Sequence, residues 1–253
     1  MKFGICTGYE NARLLKTLGY DYVELNLSAI AAMSETEFSD CRAALERADL
    51  PAEAANVFFP ACIRLTGPDV HEEQIETYVR HALARAALLG IRIAVLGSSR
   101  SRNVPEGFDP DRAYHQFLRA LRLCGDIAAS NGITIAIEPL HFPESNLINR
   151  VSEGLNAARA VSHPAVRTLA DLWHMDCEAE PFDVIAQSGG EIVHMHIASP
   201  ERTYPFEEDG TDYAAFRKAL AACAYDARIS IEGKTDNLET DARRSLAFLK
   251  TLA

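Results

Sequence analysis

Short apolar runs alternate with longer amphipathic segments along the whole chain of 253 residues. The short runs are typical of buried strands, and the segments between them repeat apolar residues at three- and four-residue spacing, as helices do. Strands that alternate with helices pair in parallel, so eight such units in a chain of this length predict a single (β/α)8 TIM barrel, one domain over residues 1–253. The predicted strands cover residues 2–6, 22–25, 53–57, 91–96, 133–138, 167–171, 192–197 and 228–232.

Several helix boundaries can be predicted from their capping residues. The most regular amphipathic segment covers residues 71–89 and stops at Gly90. Asp109 stands before a proline, which predicts the first turn of another helix. Ser34 and Glu37 have the spacing of a capping box at the start of a third.

The alternation of side chains along three predicted strands indicates which residues face the barrel interior. Neighbouring residues of a strand point to opposite faces, and in these strands one set is bulky and aliphatic while the other is small or polar. The bulky set is expected to pack on the outer helices. The sixth strand fits less well, because Leu169 shares the face of Asp171. The predicted outward residues are Ile133, Ile135, Ile137, Val193, Met195, Ile197, Ile229 and Ile231, and the inward ones are Thr134, Ala136, Glu138, His194, His196, Ser230 and Glu232.

Polar residues that can bind a metal stand at the C-terminal ends of the last four predicted strands. They are Glu138, Asp171 with His174, His196 and Glu232. A barrel builds its active site at this end of its strands, and each of these residues alone could equally be a salt-bridged or solvated side chain. Together, three carboxylates and one imidazole predict a site for one divalent ion, Mn²⁺, Mg²⁺, Co²⁺ or Zn²⁺.

Three further residues are weaker candidates for substrate contacts. Glu24 lies near the end of the second strand, Asn56 near the end of the third, and Arg202 follows the seventh. Each has an ordinary alternative, as a barrel cap, a core side chain or a solvated charge. His194 would lie one layer deeper than His196 and is expected to be structural or to support the metal ligands.

The composition and the motif content argue against several classes of function. A net charge of −11 argues against nucleic-acid binding, and no apolar run approaches the length of a membrane span. The six cysteines are scattered without a CxxC pair, and the first residues read directly as a strand and not as a signal peptide, so we expect a cytoplasmic protein. The chain has no dinucleotide-binding, P-loop or GxSxG motif.

Four segments make the chain resemble the xylose isomerase-like TIM-barrel superfamily, and within it the hydroxypyruvate isomerase and ketose 3-epimerase branches. They are IAIEPLHFPESNLIN, LADLWHM, VHMHIAS and ISIEG, and NVPEGF after the fourth strand is also similar to relatives. The resemblance covers essentially the whole chain. It implies a small carbohydrate substrate, no nucleic-acid or membrane partner, and a homo-oligomer, a dimer or tetramer.

The resemblance also implies roles for individual residues. Glu138, Asp171, His196 and Glu232 match the ligands of one divalent metal, and the two glutamates match the acid and base groups. Glu144 matches a loop glutamate that pairs with the histidine matched by His174, and Arg202 matches a substrate-binding arginine. Two departures put the substrate in doubt: His141-Phe142 replaces Asn-Arg of several epimerases, and Pro205-Phe206 replaces a Pro-Gly turn. The Asp-x-His of the DNA-repair endonuclease branch is absent after the seventh strand.

The chemistry expected of such a site is proton transfer beside a carbonyl group. A Lewis-acid metal stabilises the enediolate that forms when a glutamate removes the proton, and return of the proton gives an isomer or an epimer of a keto-sugar. A dehydratase of the inosose or dehydroshikimate type would use the same intermediate. A non-catalytic sugar-binding barrel is the alternative from another class.

Overall fold

The computed structural model describes residues 1–252 and confirms the predicted barrel. Each strand pairs in parallel with the next along the chain, and the first pairs with the last, so the sheet closes on itself. The strands are β1 (Lys2–Cys6), β2 (Tyr22–Asn26), β3 (Ala52–Asn56), β4 (Ile93–Leu96), β5 (Thr134–Ile137), β6 (Val166–Asp171), β7 (Ile192–Ile197) and β8 (Arg228–Ile231).

Helices follow the strands, the longer ones covering the outside of the barrel. Short helices stand directly after β2 and β6 and two residues after β4, at the end of the barrel where the candidate site residues lie. A 3₁₀ turn at Tyr9–Asn11 precedes the first helix. The helices are α1 (Ala12–Leu18), α2 (Leu27–Ala32), α3 (Glu35–Ala48), α4 (Glu72–Leu88), α5 (Ser99–Arg102), α6 (Pro110–Ser130), α7 (Val151–Val161), α8 (Leu172–Cys177), α9 (Asp183–Gln187), α10 (Tyr213–Ala222) and α11 (Leu238–Leu249). Within residues 1–252, no helix is long and apolar enough to cross a membrane.

The capping predictions agree with the helix ends. The Ser34 side chain accepts from the backbone N–H of Glu37, whose carboxylate accepts from the Ser34 backbone. Asp109 caps α6 through the backbone N–H groups of its first turn, with proline at the first helical position. Gly90 ends the α4 region with a φ of +86°, a conformation that costs glycine little.

Six of the eight strands differ from prediction by one or two residues at one or both ends, and two of these differences matter for the site. Glu138 and Glu232 are the first residues beyond β5 and β8, not their last members. Their backbone N–H groups still donate to the neighbouring strands, at 3.1 Å to the Leu96 and Ile197 carbonyls. Both side chains therefore project from backbone that the sheet holds in place. The third strand ends at residue 56, since Val57 adopts a left-handed φ of +50°.

Side chains fill the barrel interior below the site. The predicted parity agrees for β5 and β8, whose isoleucines pack in the outer core while Ala136 lies inside. The fourth and sixth strands break the bulky-out pattern, with Ile93, Val95 and Leu169 inside. The outward prediction for Val193 is wrong, because this half-buried residue packs against the interior group, close to where the β6–β7 pairing shifts register.

Candidate metal centre

Four strands deliver one side chain each to a single point above the interior packing. Glu138 follows β5, Asp171 ends β6, His196 lies in β7 and Glu232 follows β8. One oxygen or nitrogen atom of each lies within 4.8 Å of the others. The structure therefore brings together the four residues that the sequence predicts as metal ligands.

The imidazole of His196 stands at the centre of the three carboxylates. Its Nδ1 lies 2.9 Å from Glu138 Oε1, 3.3 Å from Glu232 Oε2 and 3.9 Å from Asp171 Oδ2. Three of the residues are buried and Glu232 is half-buried. Such a set of oxygens with one imidazole fits a divalent cation, and buried carboxylates this close to one another need a positive charge between them.

When no metal is bound, protons and positively charged side chains offset the negative charge of these carboxylates. Burial, followed by the negative charge of Glu232, raises the pKa of Glu138 to about 7. Burial alone would lower the pKa of His196, but Glu232 and Glu24 outweigh it and raise that pKa well above its usual value. Burial would raise the pKa of Asp171, but Arg202 and the nearby histidines hold it below the usual range. A cation that enters must displace these protons.

Arg202 and Asn56, both predicted to bind substrate, contact the carboxylates of this cluster. Arg202 donates to Asp171 Oδ2 at 3.0 Å and to Glu232 Oε2, and its guanidinium stacks over Trp173 at 4.3 Å from the ring centre. The Asn56 amide donates to Glu232 Oε1 at 2.7 Å. Both oxygens of Glu232 are therefore held from outside the cluster. Whether either residue also contacts substrate stays a prediction.

The predicted pairing of Glu144 with His174 is altered by His141, which lies between them. The His141 backbone N–H donates to His174 Nδ1 at 3.0 Å, and the Nδ1 atoms of the two imidazoles are also 3.0 Å apart. Glu144 Oε2 lies 3.7 Å from His141 Nδ1. Burial lowers the pKa of His174 to about 4, so this imidazole is neutral at pH 7. The sequence analysis marked His141 only as a departure from relatives and missed its place in the site.

Glu24 lies beneath the cluster and, with Asn56, lines a second cavity of about 410 Å³. Its side chain is buried and contacts His194 Nε2 at 2.7 Å and His196 Nε2 at 3.0 Å. Burial would raise the pKa of Glu24, but these two histidines lower it, so the group is a carboxylate. These contacts fit a supporting role for Glu24, and its predicted contact with substrate stays a prediction. His194 is buried next to it, in the deeper layer that the sequence predicts.

A pocket of about 350 Å³ opens above the cluster. Glu138 and Glu232 line it, as do Glu144, His174 and Arg202 from the rim. Its opposite wall comes from segments that the sequence analysis did not single out, following β3 and β4. Those wall residues are Val57, Phe59, Pro60, Ala61, Ser98, Ser99, Arg100 and Ser101.

The fold and the cluster define a β/α-barrel protein with a pocket at the C-terminal ends of its strands, the place where such barrels bind small molecules. The chain belongs to the xylose isomerase-like TIM barrel family, whose model matches residues 12–252.

Several relatives of the chain are sugar epimerases. The chain is 26% identical over 258 residues to 3-dehydro-D-guloside 4-epimerase of Escherichia coli (strain K12), covering 96% of this chain and 94% of that protein. It is also 26% identical over 221 residues to L-ribulose 3-epimerase of Methylomonas sp. (strain DH-1), covering 85% of this chain and 74% of that protein.

Solved structures share the whole fold. D-psicose 3-epimerase, determined in the presence of D-fructose, superposes with a TM-score of 0.90 at 19% identity and covers 100% of this chain and 99% of that one. The apo form of 3-keto-D-glucoside 4-epimerase from E. coli gives a TM-score of 0.84 at 21% identity and covers 99% of each chain.

Proposed function

We propose that the protein is a divalent-metal-dependent epimerase of a small keto-sugar. The observation that carries the proposal is the approach of two glutamates, Glu138 and Glu232, to one imidazole nitrogen at the floor of the pocket. Their strands, β5 and β8, are separated by two strands, so the carboxylates reach the pocket from different sides. The sugar epimerases among the relatives support the same class of reaction.

The metal would be held by Glu138, Asp171, His196 and Glu232. When bound there, the ion supplies a Lewis acid that stabilises negative charge on an oxygen of the substrate. Arg202 holds Asp171 and Glu232 in position from the rim, and Asn56 holds the second oxygen of Glu232.

Proton transfer is the task of the two glutamates. One glutamate, as the carboxylate, removes the proton from the carbon next to the carbonyl, and the other, as the carboxylic acid, gives its proton to the opposite face of the resulting enediolate. Epimerisation needs two such groups, whereas an isomerase moves a proton between neighbouring carbons with one. Burial, followed by the negative charge of Glu232, raises the pKa of Glu138 to about 7 in the metal-free protein, which suits a group that exchanges protons near neutral pH.

The rim would orient the hydroxyl groups of the substrate. His174 is neutral, and its Nδ1 accepts from the His141 backbone, so its proton is on Nε2. His174 and Glu144 both line the pocket, where they can donate to and accept from sugar hydroxyls. We retain the prediction of a dimer or tetramer in this proposal.

The test is incubation of the Mn²⁺- or Co²⁺-loaded protein with ketopentoses, ketohexoses and keto-glycosides in D₂O. Epimerisation through an enediolate gives a product of unchanged composition with deuterium at one carbon, which NMR detects. We expect Glu138→Gln and Glu232→Gln to abolish both product formation and exchange.

Glu53→Gln is a matched control, since Glu53 is a barrel glutamate that pairs with Lys2 and Arg228 away from the pocket. Loss of water with new ultraviolet absorbance would indicate a dehydratase. Sugar binding without any exchange would indicate a binding protein. Near-normal turnover in both glutamine variants would refute the mechanism.

A further inference from the structure

A second group of polar side chains is buried beneath the metal centre, and the proposed chemistry does not use it. We call it the floor group: Tyr22 and Glu24 of β2, His194 of β7 and Ser230 of β8. All four are at most 1% exposed. Burying a carboxylate here is costly unless donors surround it, so the arrangement requires an explanation.

Donors converge on Glu24 from three sides. His194 Nε2 and Ser230 Oγ donate to its Oε2 at 2.7 and 2.5 Å, and the Tyr22 hydroxyl in turn donates to Ser230 Oγ at 2.7 Å. These contacts occupy one oxygen and fix the plane of the carboxylate. The other oxygen, Oε1, faces His196 Nε2 at 3.0 Å.

His196 connects the floor group to the metal centre through its two ring nitrogens. Nε2 faces Glu24, and Nδ1 faces the carboxylates of Glu138 and Glu232. A carboxylate only accepts hydrogen bonds, so the N–H of a metal-binding His196 must be on Nε2 and its lone pair on Nδ1. Cys6 Sγ, at 4.0 Å from Nε2, is too distant to replace Glu24.

His194 has one further feature that fits this arrangement. Its Nδ1 is buried and has no hydrogen-bond partner within residues 1–252. An unpaired buried nitrogen costs stability, which indicates that this imidazole is retained for its contact with Glu24 through Nε2.

We propose that Glu24 is a positioning residue that selects the tautomer and ring orientation of His196 for metal binding, and that His194 and Ser230 fix Glu24. The inference rests on the proposed metal centre. Partners of this kind hold metal-binding histidines in other proteins, and their loss typically weakens metal affinity 10–100-fold.

The experiment measures the dissociation constant of Co²⁺ for the full chain by calorimetry and by competition with a chelator. Glu24→Gln places an amide donor against Nε2, which favours the opposite tautomer, so we expect affinity to fall about 10–100-fold. Glu24→Asp keeps the charge but withdraws the carboxylate by one methylene group. Positioning predicts that it also loses about tenfold in affinity.

Two controls separate positioning from charge and from stability. Glu53→Gln removes one barrel carboxylate far from the pocket and should leave Co²⁺ affinity unchanged. Ser230→Ala, which removes only a hydroxyl, should weaken affinity by a smaller factor and serves where a Glu24 variant does not fold. Proton NMR of the Co²⁺ protein adds a direct readout: one exchangeable, hyperfine-shifted N–H of His196, lost in Glu24→Gln.

The outcomes distinguish this inference from the proposed function. If the wild-type protein binds no divalent ion, the metal centre and the positioning role both fail. If it binds Co²⁺ and Glu24→Asp binds equally well while Glu24→Gln does not, only the charge of Glu24 matters and positioning is overturned. Lower thermal stability with unchanged affinity in both variants overturns it as well.

Discussion

Gly97, between β4 and α5, leaves the space that the Glu138 carboxylate occupies. A Cβ atom on residue 97 would lie 2.1 Å from Glu138 Oε2 and 3.1 Å from its Cδ. Real Cβ atoms essentially never approach another atom within 3.0 Å. The backbone of Gly97 is outside the left-handed region, so alanine itself is tolerated there. Gly97→Ala therefore moves the proposed acid/base group without removing it.

The expected loss of turnover follows from how far the Glu138 carboxylate must move. The carboxylate must retreat by about 1 Å, and a misplacement of that size costs about 10²-fold in turnover. The atom that gives way is the end of a flexible side chain, so the loss in free energy of unfolding should stay near 1 kcal/mol, at the low end for overpacking. A large loss of activity with little loss of stability is the expected signature.

The assay compares turnover, Mn²⁺ affinity and thermal midpoint in Gly97→Ala and Gly8→Ala. Gly8 is a matched control, because its added Cβ would lie 2.1 Å from the carboxylate of Glu10, an exposed residue outside the metal cluster. In the Glu138→Gln background, adding Gly97→Ala should cost little more activity, since both changes act on one carboxylate. Full activity in Gly97→Ala, or equal losses in the two glycine variants, would refute the reasoning.

Three further predictions concern metal binding and the buried side chains that hold the barrel together. Metal affinity should rise with pH, because below the pKa of Glu138, about 7 in the metal-free protein, a cation must displace its proton. Calorimetry of Mn²⁺ binding in buffers of different ionisation enthalpy should show more proton release at about pH 6 than at about pH 8, and equal release would contradict this. Arg102→Met should lower the free energy of unfolding by about 1–3 kcal/mol in urea titrations, since the fully buried guanidinium donates to the Leu96 and Ile148 carbonyls, and methionine would remove both hydrogen bonds while leaving each carbonyl only its backbone donor. Leu169→Ala should cost about 2–5 kcal/mol through a cavity inside the barrel, and a loss below 1 kcal/mol would show that the site collapses around the smaller side chain.

Local patterns were enough to predict the barrel. Strand and helix alternation, the Ser34 capping box and the cap at Asp109 depend on residues close in sequence, and the structure agrees with them. The four ligand candidates could also be predicted, because each lies at or next to the C-terminal end of a strand and these ends meet in a parallel barrel. The alternation of inward and outward side chains was predicted correctly for β5 and β8, and it failed at Val193, near the shift in the β6–β7 register.

Contacts between residues far apart in the sequence could not be predicted from such local patterns. Glu24 and His194 are 170 positions apart, and nothing in either segment indicates their 2.7 Å contact. A contact at the base of the barrel was equally hidden from the sequence. Gly4 has no Cβ because the Tyr22 ring of the next strand lies where that atom would be, at 2.4 Å. Such contacts are set by the closure of the sheet, which a reading of separate strands cannot supply.

The division between strands and loops also separates the metal cluster from the rim of the pocket. The backbone of Glu138 and Glu232 is held by hydrogen bonds to the sheet, whereas His141 lies in a loop, where backbone geometry tolerates substitution. His141 makes both a backbone and a ring contact to His174, and its imidazole lies 3.7 Å from the Glu144 carboxylate. The rim is thus shaped by this loop, while the metal ligands below are held by the sheet. Substitution of His141 should therefore change which keto-sugar the protein accepts and leave its metal affinity unchanged.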